Sequence, residues 1–194
     1  SEDPLHRISK PDDNAGTLYG NSGEVVRILK IPDPQEVILA LKSIKDKGIE
    51  SIAVSFLHSY TYPQHEQLVG RIAKELGFKH VSLSSEVSPM IKHLPRSHSS
   101  VADAYLTPVI KRYLESIQAG LVNTESTSIQ FMQSDGGLVE GQRFSGLKYI
   151  LSGPAGGVVG YSRTCYDETN EIPLIAFDMG CTSTDVSRFG DNKL

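Results

Sequence analysis

The sequence predicts an α/β protein in which a parallel or mixed sheet is flanked by helices. Apolar, β-branched strands at 23–31, 49–57 and 79–84 alternate with segments at 34–47 and 63–77, whose apolar residues recur at helical spacing. A strand–helix–strand–helix–strand order is typical of parallel sheets, because each helix carries the chain back to the start of the next strand. We therefore expect the first half of the chain to form such a sheet.

Proline and glycine mark the ends of the two predicted helices. Pro34 and Pro63 stand where each helix begins, a position at which the missing N–H of proline costs no hydrogen bond. Gly48 and Gly77 follow the last periodic residues and are expected to end the helices with positive φ angles.

The second half predicts a different order of elements. An irregular segment at 89–98 precedes a long helix at 100–121, in which Pro108 either makes a kink or begins a second helix. A strand at 127–133 and a glycine-rich loop at 134–146 follow. We then expect a helix that begins near Pro154. At 173–189 we expect two strands joined by a turn, of which the first is buried.

Composition excludes several classes of protein. With 194 residues, 39% hydrophobic and 22% charged, the chain can build a core. The net charge of −4 and the absence of a Lys/Arg block argue against nucleic-acid binding. No apolar run is long enough to span a bilayer, and we expect neither a membrane span nor a signal peptide. Cys165 and Cys181 form no CxxC pair, which indicates a reducing, cytoplasmic setting, and Cys165 is expected to be a small buried residue.

Three glycine-rich segments carry the chemistry of the second half. Glycine lets the backbone approach a bulky anion, so that several N–H groups can point at phosphate oxygens, and Ser and Thr hydroxyls add donors. The segments are "SDGG" at 134–137, "SGPAGG" at 152–157 and "DMGCTSTD" at 178–185.

The third segment also contains two carboxylates. Asp178 follows an apolar strand, and an aspartate at that position can hold Mg²⁺ directly or through water. Asp and Gly also build ordinary tight turns, and the chain has neither a Walker A motif nor GxGxxG. A turn alone does not require two carboxylates and three hydroxyls together, so the combination favours a magnesium–phosphate turn.

Several long motifs resemble one protein family. "MQSDGG", "LSGPAGGVVG" and "FDMGCTSTDVS", in this order, are similar to motifs of the hydantoinase A and 5-oxoprolinase family, within the superfamily of actin, sugar kinases and heat-shock chaperones. "SIAVSFLHSYTYPQHE" and "SEVSPMIKHLPRSHSSVADAYLTPVIKRYL" resemble it further upstream. The resemblance covers about 23–189 and is greatest to eukaryotic-type members.

The resemblance implies an ATP-dependent hydrolase of a cyclic amide such as 5-oxo-L-proline, with Mg²⁺ as the metal. It implies part of a two-lobed, actin-like ATPase fold, in which 1–100 ends an N-terminal domain and 101–194 begins the ATPase domain. We expect the parent protein to be a homo-oligomer, this chain to be an excerpt of it, and the isolated chain not to turn over substrate.

The same resemblance assigns the candidate site residues. Asp178 and Asp185 are expected to be catalytic, with Asp178 the ligand of Mg²⁺. The residues expected to bind the nucleotide lie on the three glycine-rich segments: Asp135, Gly136, Gly137, Gly153, Gly156, Gly157, Gly180, Thr182, Ser183 and Thr184.

Two alternative functions remain open. The chain could belong to a hydantoinase or to a subunit of an ATP-dependent carboxylase, which would share the phosphate turns but differ in substrate. It could instead be a non-catalytic fragment with a vestigial turn, because Cys181 stands where the family usually has glycine. If that position requires positive φ, cysteine costs on the order of 1 kcal/mol.

Two further clusters have a functional and a structural interpretation. His58, His65 and Glu66 could bind a metal, but their number and spacing do not match a familiar zinc site, and the last two suit the first turn of a helix. Arg96, between two histidines, could contact a substrate carboxylate, but a solvated loop is favoured.

Overall fold

The structure is a computed structural model that describes residues 18–121, 129–141, 145–167, 169–180 and 182–190. The chain divides into two compact units, Ser1–Val101 and Ala102–Leu194. The described residues have mixed α/β content, as the sequence predicts, and their strands form two-stranded sheets.

The first unit contains the parallel strand pair that the sequence predicts. Its strands and helices, in chain order, are β1 (Leu18–Tyr19), β2 (Val25–Val26), α1 (Pro34–Lys45), β3 (Ser51–Val54), α2 (Gln64–Glu75), β4 (His80–Leu83) and α3 (Ser84–Val87). Strands β3 and β4 pair in parallel, with Ser51 opposite His80 and Val54 opposite Leu83. The helices bury their apolar sides against this pair, in a core formed by Leu41, Val54, Val69, Ile72, Ala73, Phe78 and Leu83.

The predicted strand at 23–31 is mostly wrong. Only Val25 and Val26 form a strand, and they pair antiparallel with β1 rather than joining the parallel pair. Val25 and Leu29 are largely exposed, so the apolar alternation of this segment does not mark a buried strand.

The predicted helix ends agree with the structure. Asp33 caps α1, because its Oδ1 accepts a hydrogen bond from the Gln35 N–H at 2.8 Å. Gly48 and Gly77 both have positive φ, +78° and +80°, as expected of glycines that end helices.

The longest helix, α4 (His93–Gly120), begins earlier than predicted. The segment at 89–98 was expected to be irregular, but helix formation starts at His93. Pro108 lies inside one continuous helix and does not begin a second one. The early start has a physical cause: the buried Arg96 side chain binds the backbone carbonyl of Met90, just before the helix begins, at 2.7 Å.

The second unit contains two antiparallel hairpins and a helix. After α4, its elements are β5 (Gln130–Met132), β6 (Leu138–Glu140), a 3₁₀ turn (Gly146–Tyr149), α5 (Ser152–Thr164), β7 (Leu174–Met179) and β8 (Thr184–Phe189). The predicted glycine-rich loop at 134–146 therefore contains a strand, which pairs with β5. The predicted strand–turn–strand at 173–189 is present as β7 and β8.

Strand β7 is not the buried strand that its composition suggests. Ile175, Phe177 and Met179 are 76%, 67% and 73% exposed. These alternate residues share one face of the hairpin, whereas Leu174 and Ala176 on the other face are half-buried. Helix α5 packs against β7, so among the described residues the half-buried face of the hairpin is the one that is covered.

No helix within the described ranges combines the length and the apolar character needed to cross a membrane.

Candidate functional site

The β7–β8 hairpin places the two predicted catalytic aspartates next to each other. In its antiparallel register, Asp178 lies directly opposite Asp185. Directly opposed residues project from the same face, and like charges in that arrangement repel each other. Both side chains are exposed, so a bound cation would relieve this repulsion.

Asp178 also lies close to helix α5. A β-carbon built on Gly157 would lie 3.2 Å from the Asp178 Oδ2 atom. The helix is held on this face of the hairpin by the hydroxyls of Tyr161 and Ser187, which share a hydrogen bond of 2.5 Å. Gly157 thus gives the carboxylate the space to sit against the helix.

The second glycine-rich segment is a helix and not a loop that precedes one. Because α5 begins at Ser152, Gly153, Gly156 and Gly157 all lie in its first turns. The first N–H groups of an α-helix have no partner inside the helix, and they carry partial positive charge. Beyond its own helix and its chain neighbours, no described residue comes within 4 Å of a β-carbon built on Gly153, and Gly153 is exposed.

The turn between β7 and β8 presents polar side chains at the end of the hairpin. Gly180 N–H donates to the Ser183 carbonyl at 3.0 Å. Thr182 and Ser183 are exposed. Thr184 lies opposite Met179. Because side chains alternate along a strand, the Thr184 side chain projects from the face opposite to that of the two aspartates. Cys181 lies outside the described residues.

The first glycine-rich segment forms a tight turn that uses its own polar groups. Gly136 has a φ of +80°, which explains its glycine. Its N–H donates to the Gln133 carbonyl at 3.0 Å, and the Gly137 N–H donates to Asp135 Oδ1 at 2.9 Å. The prediction that these residues bind phosphate stays untested, but the two N–H groups are already bonded within the turn.

The first and third glycine-rich segments both meet helix α5, which contains the second. A β-carbon on Gly136 would lie 3.0 Å from Val159 Cγ2, and one on Gly156 would lie 3.8 Å from Met132 Cγ. The β5–β6 hairpin therefore contacts the same helix that Asp178 approaches at Gly157. The fold brings these segments together, although Gly153 has no such neighbour.

The donor set around Asp178 suits Mg²⁺. Within the described part of the chain, no group of three or more His, Cys, Asp or Glu residues is arranged to hold a metal ion. Mg²⁺ does not require such a cage, because it is commonly bound by one or two carboxylates together with phosphate oxygens and water. The opposed carboxylates of Asp178 and Asp185 match this requirement.

Glu66 is a buried acceptor and not a metal ligand in the first unit. Its carboxylate accepts hydrogen bonds from the Phe56 N–H (2.8 Å), the Ser84 hydroxyl (2.6 Å), and both the N–H (2.9 Å) and hydroxyl (2.8 Å) of Ser85. Burial acts to raise the pKa of Glu66, but hydrogen bonds from Ser84, Ser85, Phe56 and Ser59 outweigh it and hold the pKa below its ordinary value.

Arg96 is fully buried, so the predicted solvated loop is wrong. Its guanidinium donates to the Phe56 carbonyl at 2.6 Å, the Met90 carbonyl at 2.7 Å and the Ser84 hydroxyl at 3.0 Å. Because its donors are bonded to these groups, Arg96 stabilises the fold of the first unit and is not positioned to bind a substrate carboxylate. Cys165, expected to be buried, is exposed where α5 ends.

Sequence reasoning missed the polar residues that support the glycine-rich turns. Asp103 is buried, and its Oδ1 accepts hydrogen bonds from Thr107 at 2.8 Å and Ser145 at 2.7 Å. The spacing of Asp103 and Thr107 by four residues in a helix could have indicated their contact. Ser134 binds two backbone groups, a role that its place before Asp-Gly-Gly does not reveal.

Comparison with known families gives matches along most of the chain. The profile of the family Hydantoinase/oxoprolinase matches residues 96–194, and that of Hydantoinase/oxoprolinase N-terminal region matches residues 11–77. The chain is 69% identical to a 5-oxoprolinase of Saccharomyces cerevisiae over 194 residues, which is all of the chain and 15% of that relative. It is 52% identical to 5-oxoprolinase 1 of Arabidopsis thaliana, over 94% of the chain and 14% of that relative.

Two solved structures have a similar fold. The ATP-dependent caprolactamase of Pseudomonas jessenii superimposes with a TM-score of 0.66 at 30% identity, covering 84% of this chain and 25% of that one. A nucleotide-free acetone carboxylase superimposes with a TM-score of 0.71 at 24% identity, covering 82% of this chain and 23% of that one. At that identity, the second likeness concerns the fold alone.

Proposed function

Because the chain belongs to the hydantoinase/oxoprolinase family, we propose that a full-length protein containing it is an ATP-dependent 5-oxoprolinase. The identity of 69% to the Saccharomyces cerevisiae 5-oxoprolinase, over the whole of this chain, supports this activity above others in the family. The activity is that of a longer protein, since the chain spans only 15% of that relative.

The reaction couples ATP hydrolysis to the opening of a lactam. A five-membered lactam is a stable amide and a poor electrophile. Transfer of the γ-phosphoryl group of ATP to the lactam oxygen forms an O–P bond, breaks the bond to ADP and activates the ring carbon. Water then adds to that carbon, the C–N bond opens, and phosphate leaves, so that the products are L-glutamate, ADP and phosphate.

We assign Mg²⁺ binding to Asp178, with Asp185 opposite it. When bound, Mg²⁺ would offset the negative charge on the phosphate oxygens during phosphoryl transfer. The Asp178 carboxylate lies beside Gly157 of α5, and Asp185 contributes a second negative charge on the same face. The single observation that carries the proposal is this pair of opposed, exposed carboxylates beside the helix.

We assign Thr182 and Ser183 to the phosphates, whereas Gly180, whose N–H donates to the Ser183 carbonyl, shapes the turn that presents them. They stand at the exposed end of the hairpin, beyond the two carboxylates, where hydroxyl and N–H donors can meet phosphate oxygens. The first turn of α5 at Gly153 offers further N–H donors. We assign Asp135, Gly136 and Gly137 a supporting role, since their turn uses its own donors.

The same proposal includes the arrangement of the longer protein. We infer an actin-like ATPase of two lobes, in which 1–100 ends an N-terminal domain and 101–194 begins the ATPase domain. The similar fold of an ATP-dependent caprolactamase supports the ATPase part of this inference. We infer that the isolated chain does not turn over substrate, because it spans only 15% of the Saccharomyces cerevisiae relative. The cysteine content of the chain favours a cytoplasmic location for the full-length protein.

A second substrate has one observation in its favour. The caprolactamase of Pseudomonas jessenii, whose name gives another lactam as substrate, is 30% identical to this chain. The test is a comparison of glutamate and ADP release with 5-oxo-L-proline against caprolactam-dependent ADP release, in the full-length protein. We expect turnover of 5-oxo-L-proline; turnover of caprolactam alone would assign the other substrate, and no lactam-dependent ATP hydrolysis would contradict the proposal.

A further inference from the structure

We propose that Ser134 is a positioning residue that sets helix α5 against Asp178. The inference rests on the proposed function, because it concerns the same ATP site. Ser134 does not touch the site itself and stands just before the first glycine-rich turn. Its hydroxyl connects that turn to the residue at which α5 begins.

The hydroxyl of Ser134 makes two hydrogen bonds to backbone groups that are distant in sequence. It donates to the Lys148 carbonyl at 2.7 Å, and it accepts from the N–H of Leu151 at 3.0 Å. Leu151 is the N-cap residue of α5, and its own side chain makes no capping hydrogen bond. The Ser134 N–H also donates to the Lys148 carbonyl, at 2.7 Å. One residue thus joins the β5–β6 hairpin to two residues of the connection into α5, Lys148 and Leu151.

The segment that Ser134 binds is itself anchored. Asp103 accepts from the hydroxyl of Ser145, and Thr107 accepts from the Gly146 N–H at 2.7 Å. A β-carbon on Gly146 would lie 2.6 Å from the Thr107 backbone nitrogen, so this part of the chain is pressed against α4. The Lys148 carbonyl therefore has a fixed position. Through its two hydrogen bonds, the Ser134 hydroxyl links this carbonyl to Leu151, where α5 begins.

The second turn of α5, beyond the end that Ser134 binds, lies beside the candidate site. Gly157, in the second turn of the helix, has the contact with Asp178 Oδ2 described above. On the same helix, Val159 meets Gly136, two residues after Ser134. A shift of the first turns of α5 would therefore move the surface against which Asp178 rests. Loss of the Ser134 hydroxyl should change the geometry of the metal and phosphate site without removing any group that binds ATP.

The test compares Ser134→Ala and Ser134→Thr with the unchanged full-length protein. Ser162→Ala is the matched control, because the Ser162 hydroxyl donates to the Val159 carbonyl within the same helix, at 3.1 Å. We expect Ser134→Ala to raise the KM for Mg-ATP by about tenfold, with a smaller change in kcat, and to speed amide exchange at 148–153. Ser134→Thr, which keeps the hydroxyl, should restore both.

The outcomes separate the two proposals. If the unchanged protein shows no lactam-dependent ATP hydrolysis, the proposed function falls, and the role of Ser134 falls with it. If that protein is active and Ser134→Ala matches Ser162→Ala in KM for Mg-ATP, the role of Ser134 alone is overturned, even if amide exchange is faster. Failure of Ser134→Thr to restore the KM would also overturn it.

Discussion

Asp178 rests against Gly157 so closely that a β-carbon at position 157 would lie 3.2 Å from the carboxylate Oδ2. Gly157 lies inside α5, where glycine is less favourable than alanine by about 1 kcal/mol. A glycine that lowers helix stability and makes room for a carboxylate indicates that the position of this carboxylate matters.

Substitution Gly157→Ala should therefore separate stability from activity. We expect the free energy of unfolding to stay equal or rise, because alanine favours the helix. Lactam-dependent ATP hydrolysis by the full-length protein should fall by about tenfold, since Asp178 must shift by a few tenths of an ångström. Gly160→Ala is the control, because no described residue outside the helix and its chain neighbours comes within 4 Å of a β-carbon there. Equal activity of the two variants would show that the contact has no functional role.

The buried carboxylate of Glu66 predicts how stability depends on pH. Its pKa is below the ordinary value in the folded state, so the folded protein binds fewer protons than the unfolded one. The stabilisation from Glu66 is therefore complete above the ordinary glutamate pKa of about 4.3 and is lost as the pH falls through the lower, folded value.

Substitution Glu66→Gln should remove this part of the pH dependence. We expect a loss of about 2 kcal/mol in the free energy of unfolding at pH 7, because the amide cannot accept all the hydrogen bonds that the carboxylate accepts. The loss should shrink below pH 4. Urea unfolding of the protein between pH 3 and pH 7 measures both effects. Glu75→Gln, an exposed position in the same helix, is the control, and an equal pH profile for both variants would refute the role of Glu66.

Arg96 predicts a second effect on stability. Its guanidinium reaches the carbonyls of Phe56 and Met90 and the Ser84 hydroxyl, a spread of donors that the single ammonium of lysine cannot reproduce. Arg96→Lys should lower the free energy of unfolding by about 2–3 kcal/mol. Arg112→Lys, at an exposed position of the same helix, should stay within about 0.5 kcal/mol of the unchanged protein. Similar midpoints in urea for the two variants would contradict the account of Arg96.

The elements with clear local patterns could be predicted from the sequence. Helices α1 and α2 have apolar periodicity with proline and glycine at their ends, and the parallel pairing of β3 with β4 follows from the order of the elements. The segment at 23–31 has a similar apolar pattern but forms only a short strand. This strand pairs antiparallel with β1 and does not join β3 and β4. Local pattern does not determine which strands pair.

Polar side chains were the least predictable, because their roles depend on distant partners. Arg96 looked like a loop residue because prolines and histidines surround it, but carbonyl groups up to 40 residues away fix it in the interior. The glycines of the predicted nucleotide site have different structural roles: Gly136 has positive φ, whereas Gly157 makes room for a carboxylate. The pairing of Asp178 with Asp185 follows from the hairpin register, which the sequence pattern at 178–185 does not specify.

The central claim is that the hairpin carrying Asp178 binds Mg-ATP. The most direct test is Asp178→Asn in the full-length protein, with Asp167→Asn as control, because Asp167 is an exposed aspartate after α5. We measure lactam-dependent ATP hydrolysis over a range of Mg²⁺ concentrations. We predict a fall in rate of about 100-fold or more for Asp178→Asn and none for Asp167→Asn. A rate and Mg²⁺ dependence for Asp178→Asn equal to those of the unchanged protein would contradict the claim.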